Sequence, residues 1–317
     1  MKKKPQTVRV AAIQVAPVYL DLAASVRKAI GLMQQAARKG AKVVAFGETW
    51  LPGYPAWLDC CPDAALWNHP PVKQVFARLR ENSVTVPGKE VAALARAARK
   101  LSITVVMGVN ERVDSGPGNG TLYNTLLTIT PDGRIANLHR KLVPTYTERM
   151  VWGQGDGSGL EAVETPAGRV GGLVCWEHWM PLARQAMHNS GEHIHAAVWP
   201  TAHDLHHLAS RHYAFEGRCF VICVGLIMPA SDLPRELQRP GRTNGKRPRL
   251  VCRGGSAIFA PDGRCLDGPV FDRETILTAD LNLAEIDQEK MTLDVTGHYA
   301  RPDVFEFGVR ARSVRPA

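Results

Sequence analysis

Residues 121–141 read TLYNTLLTITPDGRIANLHRK. The first ten are apolar and β-branched, Pro131-Asp132-Gly133 is a turn signal, and 135–139 returns as a second strand. The device recurs at 257–266, where AIFA runs into Pro261-Asp262-Gly263 and a short return. Two such units put antiparallel pairs into the sheets and point to internal pseudo-symmetry. Outward from them the pattern alternates between buried runs and helical stretches. Strands are expected at 8–15, 43–46 and 103–109, separated by helices at 22–39 and 91–100. In the first helix Val26, Ile30 and Met33 keep helical spacing, and Gly40 stops it. Beyond the first hairpin the same reading gives strands at 170–174, 196–199, 220–224 and 276–281, with helices at 181–189 and 204–216. About ten strands and five or six helices in this order mean an α/β fold with mixed sheets. A two-sheet sandwich with helices on its outer faces would hold them in one core. No linker-like break and no short repeat period divides the chain, so 1–317 is read as a single domain.

The composition, 45% hydrophobic and 22% charged, is that of a globular protein and excludes disordered, collagen-like and disulfide-framework classes. The net charge of +9 is distributed in pieces: Lys2 to Lys4, the tail at about 306–317, and a Pro- and Gly-rich basic loop expected at about 233–253. No nucleic-acid motif or interleaved aromatic set accompanies that charge, so no nucleic-acid partner is expected. The longest apolar run, 219–228, is too short to span a bilayer, and the basic start lacks the apolar core of a secretion signal. The seven cysteines are odd in number and contain no CxxC, as reduced thiols of a cytoplasmic protein would be.

Three residues stand at the ends of expected strands. Cys175 closes the run GGLVC just before a helix that opens with Pro181. A strand-to-helix turn is where α/β enzymes hold nucleophiles, and a nearby helix start favours a thiolate; a buried structural cysteine is the alternative. Glu48 ends the strand at 43–46 and enters a loop with Trp50 and Tyr54, where poor solvation would raise its pKa toward that of a general base; a loop cap is the alternative. Lys141 follows the strand at 135–139 and could hold negative charge at a reacting centre, with Glu148 placed to orient it; a solvated surface lysine is the alternative. The histidines at 193–212 invite a zinc reading, but they lack HExxH or a local carboxylate at zincin spacing, so neither metal nor other cofactor is expected. No phosphate-cradling glycine motif opens a helix.

Taken jointly, FGETWLPGYP at 46–55, HRKLVPTYTER at 139–149 and GGLVCWEHWMPLAR at 171–184 resemble the nitrilase superfamily of carbon–nitrogen hydrolases. EGRCFV at 216–221, RGGSAIFAPDG at 253–263 and GHYARPDVF at 297–305 extend the resemblance over nearly the whole chain. The stretch after Cys175 is similar to the nitrilase branch. The resemblance implies a four-layer α-β-β-α sandwich, with Glu48 as general base, Lys141 as stabilising cation, Cys175 as nucleophile and Glu148 as supporting glutamate. It implies hydrolysis of a small-molecule nitrile to the acid and ammonia. An amidase or carbamoylase, or a cyanide-hydrolysing enzyme, would use the same residues. It also implies a homo-oligomer built from dimers, which in the family often extend into spirals. Tyr54, Trp176 and Trp199 are expected to bind the organic part of the substrate. One departure is visible: Gly47 stands where the family commonly has proline.

Overall fold

Strands that are apolar at nearly every position need cover on both faces, and the structure supplies it. A computed structural model describes residues 7–237 and 250–310. In chain order the elements are β1 (Thr7–Gln14), α1 (Leu22–Arg38), β2 (Val43–Phe46), α2 (Trp57–Cys60), α3 (Pro70–Glu81), α4 (Lys89–Leu101), β3 (Thr104–Arg112), β4 (Leu122–Ile129), β5 (Ile135–Arg140), β6 (Val163–Thr165) and β7 (Gly168–Val174). There follow α5 (Pro181–Asn189), β8 (Ile194–Trp199), α6 (Asp204–Gly217), β9 (Phe220–Gly225), β10 (Ile227–Pro229), β11 (Leu250–Phe259), β12 (Cys265–Phe271), β13 (Thr275–Asn282) and α7 (Ala284–Glu289).

One sheet has the order β13-β1-β2-β3-β4-β5, the other β10-β11-β9-β8-β7-β6 with β12 on β11. Each is parallel at its centre, β1-β2-β3 in one and β7-β8-β9 in the other, with antiparallel edges. Alternation along the strands sorts the side chains into layers. Val8, Val10, Ala12, Val43 and Ala45 face the second sheet. Ala11, Ile13, Val44, Phe46 and Met107 face α1 and α4. Ala183, Met187, Ala209 and Tyr213 bring α5 and α6 onto the far side of the second sheet. The order of layers is α-β-β-α, as the resemblance implies.

The two Pro-Asp-Gly turns have one geometry. Gly133 and Gly263 have φ of 84° and 82°. Their N–H groups donate to the carbonyls of Thr130 and Ala260, each at 2.8 Å. Glycine takes this left-handed conformation without a Cβ penalty, so the shared sequence fixes the shared turn.

Other expectations need correction. The helix α3 and the short elements α2, β6, β10 and α7 were not foreseen; α3 opens on Pro70, a first-turn signal in the sequence. Most of the expected basic loop at 233–253, residues 238–249, lies outside the described residues, as do Lys2 to Lys4 and 311–317. Its last part is not loop: Leu250–Arg253 begins β11, where Arg253 pairs with Asp272 at 2.5 Å. Residues 306–310 are exposed and without regular structure. Among the described residues no helix is long and apolar enough to cross a membrane.

Glu48, Lys141 and Cys175 all follow strand ends, those of β2, β5 and β7. The close approach of β3 to the first of these turns depends on Gly108. A Cβ there would lie 2.1 Å from the Gly47 carbonyl oxygen and 2.6 Å from the Thr49 nitrogen. Gly108→Ala must push the backbone on both sides of Glu48, and should destabilise the fold by about 1–3 kcal/mol. The urea midpoint measures it; an unchanged midpoint would show that the loop yields freely.

Candidate active site

Lys141 leaves β5 at a point where its backbone is tied at both ends. Its N–H donates to the Asn124 carbonyl at 2.8 Å, and its own carbonyl accepts from Gly155 N–H at 2.9 Å. The side chain is buried, and its ammonium Nζ donates to Glu48 Oε1 at 3.0 Å and to Glu148 Oε2 at 2.6 Å. Both carboxylates are held by further donors. Asn124 Nδ2 donates to Glu48 Oε1 at 2.6 Å. Tyr54 Oη donates to Glu148 Oε1 at 2.9 Å, and the Thr145 N–H to Glu148 Oε2 at 2.7 Å. Glu48 Oε2 is buried with no hydrogen-bond partner among the described residues.

Burial raises the Glu48 pKa to about 7, against the opposing pull of Lys141. Burial by itself would lower the Lys141 pKa, but Glu48, Cys175 and Glu148 together raise it above its ordinary value, so the ammonium stays charged. The Cys175 thiol is pushed well above its ordinary pKa by burial and then by Glu48, with Lys141 working the other way. This corrects the expectation that a helix start favours a thiolate here. The turn after β7 is a single 3-10 segment, Cys175–Trp179, and its short dipole does not offset the dry surroundings. The resting side chain is a thiol beside a carboxylate of raised basicity.

Cys175 sits on a strained bend, with φ of 52° in the left-handed region. Glu177 clamps this bend to the Lys141 segment. Its carboxylate accepts from Val174 N–H at 2.7 Å, Leu142 N–H at 2.8 Å and His139 Nε2 at 2.9 Å. Burial would raise the Glu177 pKa, but His139 and the two backbone donors bring it below the ordinary value. Two sheets are thereby joined by one anion at the ends of β5 and β7. Neither Glu177 nor Asn124 was singled out from the sequence. The available signals were a carboxylate two residues past a candidate nucleophile and an asparagine inside the apolar run TLYNTLLT.

A cavity of about 1000 Å³ opens over this cluster, and Tyr54, Glu148 and Cys175 line it. Glu48 and Lys141 lie behind its surface, fully buried. Trp176, Trp179, Met180, Val143 and Val251 make its wall largely apolar. Trp176 is 54% exposed. His203 and His206 also line it, and burial followed by His203 and His207 lowers the His206 pKa to about 4, so that ring is neutral. Trp199 needs correction. It is fully buried, stands 4.8 Å from the His178 ring, and donates from Nε1 to Ser210 at 3.3 Å. It ends β8 pointing into the helix layer rather than the cavity. At Gly47 a Cβ would come within 2.4 Å of the Leu226 side chain, so Leu226 fills the space that a bulkier residue would need.

The family profile for carbon-nitrogen hydrolases matches residues 9–291, and the chain belongs to that family. It is 42% identical over 303 residues to an aliphatic nitrilase of Sinorhizobium fredii (strain HH103), covering 95% of each chain. It is 37% identical over 313 residues to a bifunctional nitrilase/nitrile hydratase of Nicotiana tabacum, covering 98% of this chain and 88% of the other. In fold it is similar to a carbon-nitrogen hydrolase from Helicobacter pylori G27, with a TM-score of 0.72 at 19% identity over 94% of this chain and 97% of that one.

The ammonium between two buried carboxylates makes a direct stability test. Lys141→Met leaves Glu48 and Glu148 without their counter-charge and should cost roughly 3–5 kcal/mol near pH 8. The loss should shrink at pH 5, below the Glu48 pKa of about 7, where that carboxyl is protonated and needs no counter-charge. Denaturant titrations at the two pH values measure the difference; equal losses would mean the pair is not ionised in the fold.

Proposed function

We propose that the chain acts as one carbon–nitrogen hydrolase domain that converts an organic nitrile and two waters to a carboxylic acid and ammonia. The observation that carries this reading is the buried Lys141 ammonium held by Glu48 at 3.0 Å and Glu148 at 2.6 Å behind a cavity lined by Cys175. Because the thiol rests protonated, it needs a base, and Glu48 has a free oxygen and raised basicity. Glu48 takes the thiol proton as sulfur bonds to the nitrile carbon, and the opened π-pair on nitrogen takes that proton. Lys141 stabilises the charge developing on nitrogen. Water then adds to the thioimidate, its protons passing through Glu48, and the carbon–nitrogen bond breaks to release ammonia. A second water, deprotonated by Glu48, adds to the thioester; the carbon–sulfur bond breaks and the thiol regains its proton. Glu148 fixes Lys141, and Tyr54 fixes Glu148. Trp176 meets the organic group. The names of the two nitrilase relatives support nitrile over amide as substrate.

None of the seven cysteines forms a disulfide, which suits the reducing cytoplasm. Leu182 on α5 with Leu205, Leu208 and Phe215 on α6 form an exposed apolar face. Such a face suits self-association into a homo-oligomer.

Ammonia release from aliphatic, aromatic and arylacetonitriles, compared with the matching amides, tests the reaction. Faster turnover of the amides would make the enzyme an amidase. Cys175→Ala should lower turnover about 10³-fold or more in a folded protein; near-normal turnover would remove Cys175 from the chemistry. Since the base must be ionised, kcat/KM should rise with pH on approaching about 7. Asn124→Leu removes a donor that favours the carboxylate, so this acid limb should move to higher pH; a limb that stays in place would exclude Glu48 as the titrating group. Leu205→Asp with Leu208→Asp should lower the mass measured by light scattering, and an unchanged mass would place self-association elsewhere.

A further inference from the structure

Below the strained bend at Cys175 runs a chain of buried ionisable side chains that the proposed chemistry does not use. His178 Nδ1 is 2.7 Å from the Cys175 carbonyl oxygen, and its Nε2 is 3.0 Å from Nε2 of His195. His195 Nδ1 is 2.7 Å from Glu192 Oε1, and Tyr213 Oη donates to Glu192 Oε2. All four side chains are buried. Glu192 fits against Gly171 of β7, where a Cβ would come within 2.0 Å of the carboxylate oxygen. Glycine in that strand makes room for the carboxyl group.

Proton counting constrains this chain. A carbonyl oxygen only accepts, so His178 Nδ1 carries a proton. One proton must lie between the two Nε2 atoms, and one between His195 and Glu192. Three hydrogen bonds thus need three protons, while two neutral imidazoles supply two. The third is held by Glu192 as the acid, or by an imidazolium facing the Glu192 carboxylate. In either form the set of His178, His195 and Glu192 is neutral overall. An ionised Glu192 with two neutral rings would leave one contact without a proton.

We infer that His178, His195 and Glu192 form a neutral, proton-complete relay that holds the Cys175 main chain in its left-handed bend, making them positioning residues for the nucleophile. The functional half of this rests on the proposed role of Cys175. Burial raises the Glu192 pKa to about 7 and lowers that of His178 to about 3, which favours the proton on the acid and a neutral His178. The bend costs free energy that a free chain would not accept, so a bond to its carbonyl selects it. The relay anchors that bond to β8 through His195 and to α6 through Tyr213.

Glutamine reproduces the acid form: its amide donates to His195 and its oxygen accepts from Tyr213. Glu192→Gln should therefore keep kcat within about threefold of wild type at neutral pH. His178→Ala should lower kcat about tenfold or more at little-changed KM, because substrate contacts stay while the thiol is misplaced. His178→Asn restores a donor near the Nδ1 position and should recover part of that loss. The hydrogen-bonded proton on His178 Nδ1 should appear far downfield in proton spectra of wild type and Glu192→Gln, and that one resonance should be lost in His178→Ala. A folded Glu192→Gln enzyme with kcat down more than about tenfold would overturn the relay, as would wild-type kcat in His178→Ala. If His178→Ala does not fold, Glu192→Gln and His178→Asn decide. Cys175→Ala, read alongside, separates the two ideas: an inactive Cys175→Ala with a fully active His178→Ala removes only the relay, and an active Cys175→Ala removes the nucleophile itself.

Discussion

A single ammonium group, that of Lys141, lies buried between two carboxylates, and the site is organised by that fact. Burying one charge is costly; burying three of mixed sign is tolerable only with close geometry and further donors. Asn124, Tyr54 and the Thr145 N–H supply those donors. They come from β4, the loop after β2 and the segment after β5, so the charge cluster locks three separate parts of the chain together. The same burial raises the basicity of Glu48 and keeps Cys175 a thiol. Structure and reactivity thus have one cause, the exclusion of solvent.

The cluster is useful only if the sulfur is held beside it. Two devices at the bend do this. Glu177 is an anion fed by His139 and two backbone donors, and it draws the end of β7 toward the end of β5. The histidine chain ties the Cys175 carbonyl to β8 and α6. One device is charged and the other neutral overall. A second buried net charge there would change the field at Glu48, and the proton count of the chain avoids it.

Much of the architecture was legible because strand and helix periods are local properties. The apolar runs of β2, β3, β7 and β8 and the span of α5 follow from them, as do the paired turns at Gly133 and Gly263. α3 was missed even though Pro70 marked its start, because its stripe of Val75 and Leu79 is narrow and its other positions are polar. β6 and β10, three residues each, carry too little pattern to read. β11 begins inside a basic, proline-rich stretch whose composition reads as loop; pairing with β10 and β12 overrides that local preference.

By itself the sequence determined which strand ends carry a carboxylate, an amine and a thiol, and through its motifs the family in which they stand. It could not determine their surroundings, since burial and hydrogen bonding are made by residues distant along the chain. Asn124 meets Glu48 across 76 positions and Tyr54 meets Glu148 across 94. Trp199, apolar and at a strand end like Trp176, looked equivalent to it as a cavity residue. Only the packing of α6 over β8 turned it inward, while the bend at Cys175 turned Trp176 toward the open cavity.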